Sequence, residues 1–318
     1  MEHLQDNPKI PIKAVQEQLQ RKFEVGVSKQ KAYRAKQKAV MQLNGDYNSQ
    51  YGLLRAYVAE LMNTNLGTTV KFELEPPADP ESTERKFKRV YVCLGALKQG
   101  FKAIGRDMLG LDGAFIKGPY PGQVLSAVGV DPNNGIYPVS YAIVEAETLD
   151  SWTWFLECLG DDLDLEANSN FTFLSDRQKG IIPAIMKVFP FAKHRFCLRH
   201  IYENMRLQFK GKAFKDLLWK CATATTIVEF EKEMDALKSF NRRATSDMLL
   251  NNMCEVFNSK ILEGRDKPII AMLKFIREYC MRRIVNVLQL IERSDGLLTP
   301  YATELFEEIK KDATSFTL

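Results

Sequence analysis

Three acidic residues of this 318-residue chain stand where chemistry could be done. Asp112 lies in LGLDGAFIKG, Asp176 closes the apolar run FTFLSD, and Glu255 lies in LLNNMCEVFNSKI. Carboxylates at the mouths of buried strands are hard oxygen ligands, and such a set selects Mg2+ or Mn2+ over zinc. Two of them can hold one divalent ion; a third is needed for two ions roughly 3.5–4 Å apart, the arrangement that serves in-line displacement at phosphorus. Each residue also has a plainer reading: Asp112-Gly113 as turn chemistry, Asp176 as the cap of the helix after it, and Glu255 as a solvent-facing helix residue. A further pair, Cys197 and His200, has the Cys-x-x-His spacing of half a zinc site. No second pair of matching spacing follows, so a closed zinc site is not expected, and a buried thiol beside a structural histidine is the alternative.

The elements that must position these residues are legible from periodicity and turn chemistry. Lys88–Leu94 reads as a strand and a short helix follows to about Phe101. Met108–Ile116, Gln123–Val130 and Tyr137–Glu145 are three strands separated by KGPYPG and DPNNG, hence an antiparallel meander. Ser151 is placed to cap the helix SWTWFLECLGDDL, whose Trp154, Phe155 and Leu159 share a face. A fourth strand ends at Asp176, a helix follows, and a fifth strand covers His194–Cys197. Three antiparallel strands, a helix, then strand, helix and strand is the order of an α/β ribonuclease-H-like mixed sheet, in which the first and fourth strands are neighbours and bring Asp112 to Asp176. Beyond Ile201 the chain reads as helices over Glu203–Leu218, Ile227–Ser239, Met248–Leu262 and Pro268–Ile291. On the third of these, Leu249, Met253, Val256 and Phe257 recur at helical spacing and would press the helix on the sheet, presenting Glu255.

Ahead of this core the chain is helical and basic. A helix runs from about Ile12 to Phe23, Ser28 caps a second that Asn44-Gly45 stops, and Asp46 opens a third through Tyr51, Leu54, Tyr57 and Leu61. A strand, TVKFELE, then leads into the acidic, Pro-rich stretch PPADPESTERK. The expected divisions are a helical basic region over 1–70, a linker over 71–86, the core over 87–200, a helical insertion over 201–247 and a helical C-terminal part over 248–318 that carries Glu255.

Composition narrows the function classes. With 44 Lys/Arg against 40 Asp/Glu the formal charge is only +4, so any polyanion contact has to come from local clusters. Two exist: residues 1–45 hold nine basic residues against four acids, and 193–215 holds seven against one, Glu203. A clustered face of this kind is a solvated surface unless a partner claims it. Six widely spaced cysteines with no apolar signal segment point to a reducing compartment, and no run approaches the roughly 18–20 apolar residues of a membrane span.

The blocks DGAFIKGPYPGQVLSAVGVDPNNGIYPVSYAIVEAE, SWTWFLE, SDRQKGIIPAI, HRFCLRHIYENM and LLNNMCEVFNSKI, in this order, resemble those of plant Mutator-like element (MULE) transposases of the MuDR type. The resemblance covers roughly Lys29 to Lys311. It implies a DDE core with the three family acids on Asp112, Asp176 and Glu255, the family Cys-x-x-His on Cys197 and His200, and a two-ion Mg2+ or Mn2+ site. It also implies cleavage and transfer of DNA at terminal inverted repeats, in the nucleus, by a homo-oligomer without membrane contact. Lys193, Arg195, Arg199, Arg206, Lys210 and Lys212 are the expected phosphate contacts. Relatives carry a longer helical insertion where this chain passes from LKSFN to RRATSDMLLNN, a fuller N-terminal zinc-binding domain of which residues 1–70 would be a remnant, and a C-terminal zinc knuckle without counterpart here. These departures keep a second expectation open beside the transposase: a domesticated or decayed, non-catalytic DNA-binding or regulatory protein.

Overall fold

The computed structural model describes residues 10–77, 85–117, 119–167, 169, 171–176, 178–206, 212–240, 253–294, 296 and 298–314. Helices α1 (Ile12–Phe23), α2 (Lys29–Asn44) and α3 (Tyr47–Thr64) come first. Asp46 caps α3 as its sequence suggests, its carboxylate accepting the N–H groups of Asn48 and Ser49 at 3.0 and 2.9 Å.

Seven strands form one mixed sheet. In chain order β1 (Thr69–Leu74), β2 (Phe87–Cys93), α4 (Gly95–Ile104), β3 (Met108–Phe115), β4 (Gln123–Val130), β5 (Ile136–Val144), α5 (Leu149–Leu163), β6 (Thr172–Ser175), α6 (Ile181–Val188) and β7 (Lys193–Phe196) follow. The spatial order is β1-β2-β5-β4-β3-β6-β7. Pairing is antiparallel from β1 across to β3 and parallel from β3 through β6 to β7. The expected meander is therefore present, and β1 and β2 extend it. TVKFELE, which as sequence stands before the core, pairs along its length with β2. Arg89 of β2, 2% exposed, fastens this edge: its guanidinium donates to Glu73 of β1 and Asp150 of α5 and lies 4.9 Å from the Trp154 ring centroid.

Both faces of the sheet are covered, which is why β4 is buried at every position and reads as a continuous apolar run rather than an alternating one. On one face, Trp152, Phe155, Leu156 and Leu159 of α5 are buried, and Tyr91 of β2 meets Trp154 and Phe155 edge-on. α5 is capped three residues earlier than its sequence suggests. Thr148 is the cap and Ser151 its reciprocal third residue, the two hydroxyls forming a capping box with each other's backbone N–H.

After β7 come α7 (Leu198–Met205), α8 (Lys212–Thr223), α9 (Ile227–Phe240), α10 (Met253–Lys260), α11 (Ile269–Glu292) and α12 (Pro300–Thr314). The helix expected over Glu203–Leu218 is divided between α7 and α8. These two and α9 gather a small core of their own from Leu198, Ile201, Phe214, Leu218, Cys221 and Leu237. The junction after Asn241 lies outside the described residues, as do 248–252, so α10 is described from Met253. α10 lies on the sheet face opposite α5, across β3 to β5. Gly110 permits that approach, since a Cβ there would stand 2.9 Å from Cys254 Sγ. The buried face of α10 is Met253, Cys254, Phe257 and Asn258, whereas Val256 is 41% exposed. The helix is thus rotated from the expected phase, because the close contact at Gly110 fixes residues 253 and 254 against the sheet.

Candidate metal centre

β3 is the inner strand that pairs antiparallel to one side and parallel to the other, and Asp112 sits on it directly opposite Ser126 of β4. By the alternation of the pleat Asp112 shares a face with Gly110, beneath α10. Its Oδ1 accepts the Gly113 N–H at 2.9 Å and its Oδ2 accepts Nδ2 of Asn258 at 2.8 Å. Asp176 follows β6 by one residue, at the same end of the sheet, and its Oδ1 accepts the Gln178 N–H at 2.9 Å. The parallel pairing of β3 with β6 is what joins two acids so distant in sequence.

His200 is the third member. Ligand atoms of Asp112, Asp176 and His200 all lie within 4.8 Å of one another. Cys197 caps α7 and is buried at 4% exposure, so its partner in the Cys-x-x-His motif turns one helical step away, into the carboxylate cleft. Burial pushes the Cys197 thiol up, which favours an uncharged sulfur rather than a zinc thiolate. Glu255 reaches the same cleft from α10, but it stands behind the histidine. Its carboxylate pairs with Arg199 Nη1 at 2.6 Å and with His200 Nε2 at 3.3 Å. The His200 Nδ1 is buried with no hydrogen-bond partner among the described residues.

Negative charge is concentrated here. Burial, then Asp176, then Glu147 push the Asp112 carboxyl up to about 7. Glu147, which follows β5, is pushed up to about 6 by burial and by Asp176. This residue was not singled out by sequence, although it too is an acid just past a strand end. Its Oε1 accepts the Trp152 indole N–H at 3.2 Å, and its backbone carbonyl accepts Nε2 of Gln178, the residue whose N–H caps Asp176. Gly113 leaves room for it: an added Cβ would stand 2.7 Å from the Glu147 carboxylate and 2.8 Å from Gln123 Oε1. Gly113→Ala is expected to cost about 1–2 kcal/mol by overpacking, read as a lower urea midpoint with unchanged slope. Two more residues were missed, Asn258 and Arg265. The guanidinium of Arg265 is drawn to Asp112 while burial lowers its pKa, and its Nε has no hydrogen-bond partner among the described residues. Their signal is spacing on or after α10, which has meaning only once that helix is docked.

Of the expected phosphate contacts, Lys193 and Lys212 are exposed and Arg195 is half-buried on β7. Arg199 and Arg206 are exposed but engaged, with Glu255 and Glu203. Lys210 lies outside the described residues. Among the described residues no helix is long and apolar enough to cross a membrane.

The donor set suits a divalent cation. Two hard carboxylates and an imidazole with an unclaimed nitrogen converge, and the charge repulsion that raises Asp112 is what a bound cation offsets. Among known proteins, residues 108–204, which run from β3 through most of α7, match the MULE transposase domain. A curated relative, Protein FAR1-RELATED SEQUENCE 6 of Arabidopsis thaliana, is 28% identical over 130 residues, which are 39% of this chain and 18% of the relative. The chain therefore spans just under a fifth of that relative's length. Residues 108–204 are thus similar to a MULE transposase domain, and Asp112, Asp176 and His200 all lie inside the matched segment.

Proposed function

We propose that this protein is a DDE transposase of the MuDR type that cuts DNA strands and transfers them, using a ribonuclease-H-like core made of residues 87–200 and 248–318. The observation that carries this reading is the convergence of Asp112, Asp176 and His200 at one end of the sheet, inside the matched transposase domain. Asp112 and Asp176 hold the cation, and Glu255 completes the acidic set from α10. A bound Mg2+ or Mn2+ supplies Lewis-acid polarisation of the phosphate and of the attacking hydroxyl. The chain's own residues keep the acids in place: Asn258 and the Gly113 N–H orient Asp112, and the Gln178 N–H orients Asp176. Lys193, Arg195, Arg199, Arg206, Lys210 and Lys212 contact phosphates, so binding weakens steeply with salt. Such a protein works in the nucleus, as a homo-oligomer that brings two DNA ends together.

A second reading, a non-catalytic DNA-binding or regulatory protein, is favoured by one observation. Glu255 is held by Arg199 at 2.6 Å and is not one of the three residues whose ligand atoms converge. Nicking of supercoiled plasmid in Mn2+ decides between them. Cleavage by the purified chain that falls by at least about 100-fold in Asp176→Asn, with DNA binding retained, is the expected result. Equal activity of the two proteins, or DNA binding without any nicking, would overturn the transposase reading.

A further inference from the structure

A cavity of about 1210 Å³ opens between α3 and the sheet, at the end where β3 and β5 leave it. Its walls carry Tyr47 and Tyr51 of α3, Phe87 of β2, and Tyr120 from the turn between β3 and β4. Tyr120 meets two rings edge to face, Tyr47 at 6.3 Å and Tyr51 at 5.8 Å, and Tyr51 lies tilted 5.3 Å from Phe87. Tyr120 is 42% exposed, so part of its surface is turned to solvent. Closely spaced half-open aromatic rings are costly to leave in water unless something flat and apolar covers them.

The rim supplies a charge. Arg55, Arg85, Lys86 and Lys267 border the opening, against Glu75 and Glu145. Glu145 is itself within 3.9 Å of Arg89, and Lys88, also on the rim, is taken up by Glu73 and Asp150. The balance is cationic around an aromatic floor. An apolar peptide would use the rings but not the charge; a rigid duplex would meet the charge but present no free base face to the rings. An unpaired stretch of nucleic acid uses both, its bases on the tyrosines and its phosphates on the rim.

The cavity lies near the metal centre along the chain. Ile116, on its wall, follows Asp112 by four residues, just past the end of β3, about 13 Å away at ~3.3 Å per residue. Glu145, on its rim, precedes Glu147 of the acidic cleft by two residues. The Lys117 N–H donates to the Arg265 carbonyl at 2.7 Å, and the Arg265 guanidinium feels the charge of Asp112.

We propose that this groove receives an unpaired segment of DNA next to the strand held at the acidic cleft, stacking its bases on Tyr120 and Tyr51 and setting its phosphates on Arg55 and Lys267. The ligand class rests on the DNA reading above, while the site is separate from the acidic cleft. The groove explains where single-stranded ends stay while the duplex lies across the basic segment after β7.

The test is fluorescence anisotropy of the full chain, in EDTA, with labelled dT12 and with a 12-base-pair duplex. Tyr120→Ala is expected to weaken dT12 about tenfold, one ring-on-base stack, and to leave the duplex within about twofold. Tyr120→Phe, which keeps the ring, restores dT12 binding. Arg55→Glu weakens dT12 by a similar factor and steepens no further with salt. Asp176→Asn leaves dT12 binding unchanged, so failure of the groove and failure of the cleavage reading are told apart. The proposal is overturned if Tyr120→Ala and Arg55→Glu both bind dT12 like the parent, which would leave the groove to an apolar peptide or a second copy. Equal losses on dT12 and duplex would also overturn it, since they would report surface charge alone. Because Arg55 is exposed on α3, its variant keeps the test decisive should Tyr120→Ala lower the melting temperature.

Discussion

Asp112→Asn is expected to make the metal-free protein more stable while removing its response to divalent cations. The carboxyl is pushed up to about 7 by burial and by Asp176 and Glu147. A carboxyl whose folded-state pKa lies above its unfolded value contributes stability below pH 4, and that contribution is lost as pH rises through 7. Above neutrality the folded protein therefore carries a penalty with a ceiling on the order of 4 kcal/mol, taking about three pKa units at 1.36 kcal/mol each. An amide removes the charge at no cost in volume. It keeps an acceptor for the Gly113 N–H, and its new N–H group can meet Asn258 if that side chain flips, because the Asn258 Oδ1 is buried without a hydrogen-bond partner among the described residues. Thermal melts in EDTA at pH 8 should rise by several degrees in the variant, and the difference should vanish by about pH 4. Mn2+ at 100 times its Kd should add about 2.7 kcal/mol to the parent and nothing to the variant. A variant less stable than the parent at pH 8 would show that the carboxylate is held by its donors more strongly than its neighbours repel it.

Asp131→Ala is expected to be the most damaging single change away from the cleft. Asp131 lies in the DPNNG turn between β4 and β5 with its side chain only 1% exposed. Its Oδ1 accepts the N–H groups of Asn133 and Gly135 at 3.0 and 2.7 Å, and its Oδ2 accepts Arg283 Nη2 of α11 at 2.5 Å. Arg283 Nε also donates to the Ile136 carbonyl, and the next segment joins the same turn through Asn133, which accepts the Tyr301 N–H at 3.0 Å. Truncation leaves a partly buried guanidinium and two turn N–H groups without their acceptor, at a cost of about 3–5 kcal/mol. Urea unfolding should show the midpoint falling by that amount divided by the slope, with the slope itself unchanged. Asp131→Asn, which retains the turn acceptor but not the charge, should recover roughly half.

The two cases differ in how far sequence could reach them. DPNNG is a turn by local chemistry alone, and the sheet has that turn between the strands expected on either side. Its second role, as the clasp for α11 and the start of α12, depends on a helix some 150 residues later. No local propensity encodes that contact. Likewise Asp112 and Asp176 were legible because a carboxylate at the end of an apolar run is a local pattern, and their proximity followed from the order of the elements. Glu147 obeys the same pattern and was passed over because two residues separate it from the strand end. Val256 was expected in the core, and its exposure follows from the Gly110 contact that sets the rotation of α10.

By itself the sequence determined the elements from β3 to β7 and their succession, and with it the expected meeting of Asp112 and Asp176, because turn residues and hydrophobic periodicity act over short range; the placing of β1 and β2 at the edge was not legible. Only the tertiary structure decided which side chain became their third neighbour. That choice falls to the docking angle of α7 and α10, where His200 stands in front and Glu255 is drawn back to Arg199. Interhelical placement is set by packing and charge across residues far apart in the chain, and those forces leave no spacing in the sequence to be read.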